Sequence, residues 1–149
     1  MQSRLSNLSE IDLFLDNIMQ QFNVKEDFLG ILSIPLNECV ENAIVHGNKC
    51  DENKKVNIDV QYEKSKLLFS VTDEGIGFDY NSLLQKGIEQ RTGNGLLLLE
   101  MLTEDLSFSK DGSQVSYKID VPHSLYNNNE RLGVFQHSQE AVKSVQLMN

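Results

Sequence analysis

Glu38, Asn42 and His46 in NECVENAIVHGN, residues 37–48, are spaced four apart. On an α-helix they stack along one stripe, while Cys39, Val40, Ala43 and Ile44 cover an adjoining apolar face. A carboxylate, an amide and an imidazole therefore line up beside a buried surface. The Glu38 carboxylate can accept a proton from an attacking hydroxyl or water, and the Asn42 oxygen is a hard donor of the kind Mg²⁺ takes together with waters and phosphate oxygens. His46, beside Gly47 at the end of the stripe, suits capping or packing better than catalysis. Glu41 falls off the stripe and is expected in solvent.

A second acid, Asp73, ends a run that is otherwise apolar and opens DEGIGFD, residues 73–79. A buried carboxylate must be paired or hydrogen-bonded, and because it offers acceptors only, an exocyclic amine such as that of adenine would satisfy it. Gly75 and Gly77 permit backbone shapes closed to other residues and the close approach of a flat ring. Taken alone, such a stretch is more often an acidic turn between elements. In RTGNG, residues 91–95, Gly93 and Gly95 flank Asn94 ahead of an apolar run, which would aim free N–H groups and a helix dipole at an anion such as phosphate. Arg91 and Lys86 could add positive charge there. By themselves these residues are also compatible with a plain turn and a solvated loop.

The elements that must carry these residues follow from periodicity. Ile11, Leu13, Phe14, Leu15, Ile18, Met19 and Phe22 recur at near-helical spacing after Ser9, which predicts a helix over 9–22 with Ser9 as its N-cap. A second helical pattern runs from Lys25 to His46, stopped by Gly47 and Asn48, with a kink or fresh start expected at Pro35. Val56, Ile58, Val60 and Tyr62 alternate with polar residues, as do Leu67, Phe69 and Val71 after EKSK, predicting a hairpin. LLLLEML, residues 96–102, reads as a buried helix. Leu106 and Phe108, the Asp111–Gly112 turn, and Val115, Tyr117, Ile119 and Val121 predict a second hairpin. The order implies an α+β fold, a two-layer α/β sandwich whose mixed or antiparallel sheet has helices on one face. Beyond Pro122, YNNNE reads as a linker, so the expected organisation is a domain over 1–122 and a C-terminal tail of unknown role over 123–149.

Composition limits the function classes. The chain has 149 residues, 40% of them hydrophobic, about one domain's worth. A net charge of −9 and a pI near 4.7 argue against direct nucleic-acid binding or attachment to an anionic membrane. Cys39 and Cys50 form no CxxC pair and read as reduced thiols. The start, MQSRLSNLSE, has no apolar signal core, and a cytoplasmic location is expected.

Each motif alone is weak, but the order is specific: E-x-x-x-N on a helix, a strand, a strand ending in D-x-G-x-G, then G-x-G opening a helix. Over roughly residues 9–121 this resembles the GHKL, or histidine-kinase-like, ATPase superfamily of gyrases, heat-shock chaperones, histidine kinases and mismatch-repair proteins. The spacing and the NECVENAIVHG wording are most similar to the bacterial anti-sigma-factor serine/threonine kinases. The resemblance implies the Bergerat ATP-binding fold, with ATP and Mg²⁺ as cofactors. It also implies Glu38 as general base, Asn42 as Mg²⁺ ligand and Asp73 as reader of the adenine amine. Gly75 and Gly77 would shape the adenine pocket, and Arg91, Gly93, Asn94 and Gly95 would hold the phosphates. The partners implied are a sigma factor and an anti-sigma-factor antagonist that is phosphorylated. Homodimerisation stays open, because the segment before Ser9 is short for the family's opening strand. Two other readings stand beside the kinase: a nucleotide-switched binding module with little turnover, and the ATP-binding part of a two-component histidine kinase. The second is weakened by the absence of room for a dimerisation hairpin before Ser9.

Overall fold

Residues 1–77, 79, 82 and 95–122, with the backbone of 143–146, are described by a computed structural model of the chain. Ser9–Gln21 forms α1, and its stripe of Ile11, Phe14, Leu15, Ile18 and Met19 is buried. Ser9 is not its N-cap. A 3₁₀ turn over Leu5–Leu8 feeds directly into the helix, so Ser9 already has helical dihedrals (φ −64°, ψ −19°) and its hydroxyl donates back to Ser6 O at 3.3 Å. A capping side chain needs an extended backbone, which this 3₁₀ lead-in excludes.

Leu29–Asn42 forms α2, preceded by a 3₁₀ turn over Glu26–Phe28. The helix runs on through Pro35 without the fresh start expected there. An interior proline costs about 3 kcal/mol, but Leu32, Leu36, Cys39 and Val40 on the same helix are fully buried. At about 1.5–3 kcal/mol for each large apolar side chain removed from water, that packing outweighs the lost bond. The combined helical run Glu26–Gly47 is long and apolar enough to cross a membrane by length and composition. Here its apolar face is committed to the core. Cys39 lies in that core and Cys50 is exposed; both are free thiols.

β1 (Val56–Glu63) and β2 (Lys66–Asp73) form the first hairpin, in the register Val56↔Asp73 to Glu63↔Lys66. Lys64 and Ser65 link them with φ of 51° and 66°, the paired positive values of a type I′ turn. α3 (Gly95–Leu102) follows, then β3 (Glu104–Phe108) and β4 (Gln114–Asp120), the second hairpin. Lys143–Gln146 adds β5. The sheet order is β3-β4-β2-β1-β5, with every pairing antiparallel. Val56, Ile58, Val60, Leu67, Phe69, Val71, Val115, Tyr117 and Ile119 point to one buried face that the helices cover, and Phe69 stacks on Tyr117 at 5.1 Å. The α+β two-layer sandwich is therefore the fold.

α3 is a helix as expected but is not buried all round. Only Gly95 and Leu99 are buried, while Leu97, Leu98 and Met101 are 38%, 40% and 73% exposed. Eight residues packed against α2 on one side have a single inward stripe.

Candidate active site

Asp73 is brought to the site by strand parity. It shares the inward period of Leu67, Phe69 and Val71, so the last residue of β2 turns a carboxylate into the helix layer, where it is 5% exposed. Its Oδ1 accepts the Gly75 N–H at 2.8 Å, and its Oδ2 is buried with no hydrogen-bond partner. Burial holds its pKa above the ordinary aspartate value, the Gly75 N–H opposes this, and the Asp111 charge adds to the rise.

Two glycines allow the carboxylate to sit there. A Cβ on Gly47 would overlap the Asp73 carboxyl group, and one on Gly75 would overlap the Gly47 carbonyl. The end of the long helix and the turn after β2 thus touch backbone to backbone. Gly77, at φ +77°, lies so close to the Asp111 carbonyl that a side chain there would overlap it, which rests the loop on the β3–β4 turn. Asp111 fastens that turn by accepting from the Ser109 hydroxyl at 2.6 Å and the Ser113 N–H at 3.1 Å, contacts that lower its pKa to about 2.

The other wall comes from α2. Glu38 is half-buried, and its carboxylate lies against Gly95, the first residue of α3, with no space for a Cβ between them. Burial first, and the Glu41 charge second, raise its pKa above the ordinary glutamate value. Asn42, one turn on, has its amide nitrogen buried without a partner. Amide oxygen and nitrogen are interchangeable by rotation, so a hard oxygen donor can occupy the same position. Two orphaned buried polar groups, Asp73 Oδ2 and the Asn42 amide, fit a nucleotide that brings a donor to the first and a Mg²⁺ ion to the second.

The expected stripe continues only as far as Asn42. Ala43–Gly47 is a π-helical turn, closed by Asn48 N–H to Ala43 O at 2.8 Å. Its five-residue spacing takes His46 out of the four-residue stacking and carries Gly47 up to Asp73. His46 is half-buried, and burial, with Lys49 second, lowers its pKa. Glu41 is exposed, as expected. Lys86, Arg91, Gly93 and Asn94 lie outside the described residues. Gly47 and Asn48, read from the sequence only as a helix stop, belong to the site's frame. Their signal was the inward parity of Asp73, which requires something small opposite it.

Residues 1–119 match the histidine kinase-like ATPase domain, and the chain belongs to that family. It is 30% identical over 77 residues to the anti-sigma F factor of three strains of Clostridium perfringens. That match covers 48% of this chain and 55% of the relative, so the chain spans about half the length of the curated relatives it matches. Among solved structures it is similar to the histidine kinase domain of a blue-light activated histidine kinase of Erythrobacter litoralis. There the TM-score is 0.48 at 19% identity, covering 80% of this chain and 60% of that one.

Proposed function

We propose that the chain is an ATP-dependent serine/threonine protein kinase that phosphorylates an anti-sigma-factor antagonist and sequesters a sigma factor. The observation that carries the nucleotide assignment is Asp73, an inward carboxylate with one oxygen buried and unpartnered in a wall kept open by Gly47 and Gly75. The choice of protein partners is supported by the likeness to the anti-sigma F factors.

In this reading Asp73 Oδ2 accepts the adenine amine, and Gly75 and Gly77 form the floor under the ring. Arg91, Gly93, Asn94 and Gly95 hold the phosphates as α3 begins. Asn42 would hold a Mg²⁺ ion, which when bound would supply charge neutralisation to the phosphates. Glu38 accepts the proton of the acceptor hydroxyl as that oxygen bonds to the γ-phosphorus and the bridging oxygen leaves with ADP. Its raised pKa makes the ionised form a stronger base than a solvated glutamate.

Glu38→Gln tests the assignment. The amide preserves size, so ATP affinity should stay within a few-fold of wild type. Single-turnover transfer of labelled γ-phosphate to the antagonist should fall by about 10²–10⁴-fold, the usual contribution of a general base. Wild-type transfer by the variant removes Glu38 from the base role. If the native chain transfers no phosphate to any antagonist while ATP still changes sigma-factor binding, the nucleotide-switched module is correct.

A further inference from the structure

Asn48 is fully buried and makes a closed set of bonds that none of the roles above uses. Its Oδ1 accepts the Glu74 N–H at 2.9 Å and its Nδ2 donates to Lys55 O at 2.9 Å, while the Lys55 N–H donates to the Glu74 carboxylate at 2.6 Å. Its own N–H closes the π-turn on Ala43 O at 2.8 Å. One side chain therefore ties the end of the long helix, the approach to β1 and the exit from β2.

We propose that Asn48 is a positioning residue that keeps one oxygen of the Asp73 carboxylate free to receive the amine of a 6-aminopurine. The inference rests on the reading of Asp73 as the adenine contact. An aspartate side chain readily accepts from the N–H two residues on, and here Asp73 Oδ1 takes that of Gly75 at 2.8 Å. Asn48 takes the intervening N–H, on Glu74, at 2.9 Å and so fixes the turn in that arrangement. With Glu74 engaged, Asp73 Oδ2 is left without a partner. Without the Asn48 acceptor the Glu74 peptide is released, and the turn that carries the Gly75 N–H no longer fixes the carboxylate in the orientation that leaves Oδ2 unpartnered. Gly47, whose missing side chain leaves room for that carboxylate, is the residue next to Asn48, so both sides of Asp73 are set from one point of the chain.

The test compares ATP with purine riboside triphosphate, which lacks only the 6-amino group, by titration calorimetry in the presence of Mg²⁺. The native chain should prefer ATP by about 10-fold or more, the scale of a hydrogen bond to a charged acceptor. Asn48→Ala should bring that ratio close to one. Asn48→Asp, which restores an acceptor for the Glu74 N–H, should recover it even though its melting temperature is lower, because the donor to Lys55 O is gone. If Asn48→Ala does not fold, Asn48→Ser, whose hydroxyl is too short to reach both partners, takes its place with the same expected fall. A residue that serves only the fold would weaken both nucleotides by one factor and leave the ratio intact, which overturns the proposal. A folded Asn48→Asp with a ratio near one overturns it as well. A native ratio near one refutes the adenine assignment of Asp73 itself, a distinct outcome.

Discussion

Asp73 shows how a site residue is held against the interest of the empty fold. Its carboxyl is inward, one oxygen lacks a partner, and burial raises its pKa, so the native state holds the proton more tightly than the unfolded chain. Such a group favours folding at acid pH, and that contribution is lost as pH rises through the folded pKa. Glu38 is shifted in the same direction. Asp73→Asn removes the ionisation without changing the shape. The nucleotide-free variant should melt at or above the wild-type temperature at neutral pH, and its melting temperature should fall less between acid and neutral pH. The same change should weaken ATP about 10-fold or more, because the amide places N–H where an acceptor is needed. Calorimetric scans across pH, paired with ATP titrations, measure both. An unchanged ATP affinity removes Asp73 from the adenine contact, and a large loss of stability at neutral pH contradicts the account of its burial.

The elements carrying these side chains were legible to different degrees, for reasons of range. The period-two runs 56–62 and 67–71 define the first hairpin, and the same parity extended by one step turns Asp73 inward. The four-residue spacing of Glu38 and Asn42 and the stripe of α1 were equally local signals. The π-turn at Ala43–Gly47 was not, because it is selected by contacts about 25 residues away, Gly47 against Asp73 and Asn48 with Glu74. LLLLEML likewise shows no periodicity from which an inner face can be chosen; contact with α2 makes the choice, leaving Met101 in solvent. Gly47 is therefore the position where element geometry is most exposed to mutation. A methyl group there must displace the Asp73 carboxylate or part the helix end from the turn. Overpacking of this kind costs about 1–3 kcal/mol, so Gly47→Ala should lower the urea midpoint with an unchanged slope, and ATP affinity should fall with it. Wild-type stability and affinity together would mean that the helix end and the β2 turn are not in the close contact described.

At the scale of the whole molecule, the outer edge of β1 is shared by two distant parts of the chain. Ser3 N–H donates to Lys54 O at 3.0 Å and Val56 N–H to Met1 O at 2.8 Å, which occupies the start of β1. Residues 143–146 pair with Asp59–Tyr62 along its remainder. The segment expected as a tail thus contributes a strand to the sheet. β5 lies along the half of β1 that leads to the hairpin turn, whereas Asp73 pairs with Val56 at the opposite end. Deleting residues 127–149 should accordingly leave ATP affinity unchanged while stripping the β5 backbone partners from the outer edge of Asp59–Tyr62. An edge strand with free N–H and C=O groups is a template for another copy. The net charge of −9 opposes such pairing at low ionic strength and is screened at about 1 M salt, where the Debye length is only about 3 Å. The truncated chain should therefore melt lower, by roughly 2–4 °C for each kcal/mol lost, and sedimentation velocity should show self-association that grows with salt. A truncated chain that stays monomeric at both ionic strengths and melts with the full-length protein would mean that β5 contributes nothing to the edge; loss of ATP binding by a folded truncation would place the segment against the nucleotide site instead.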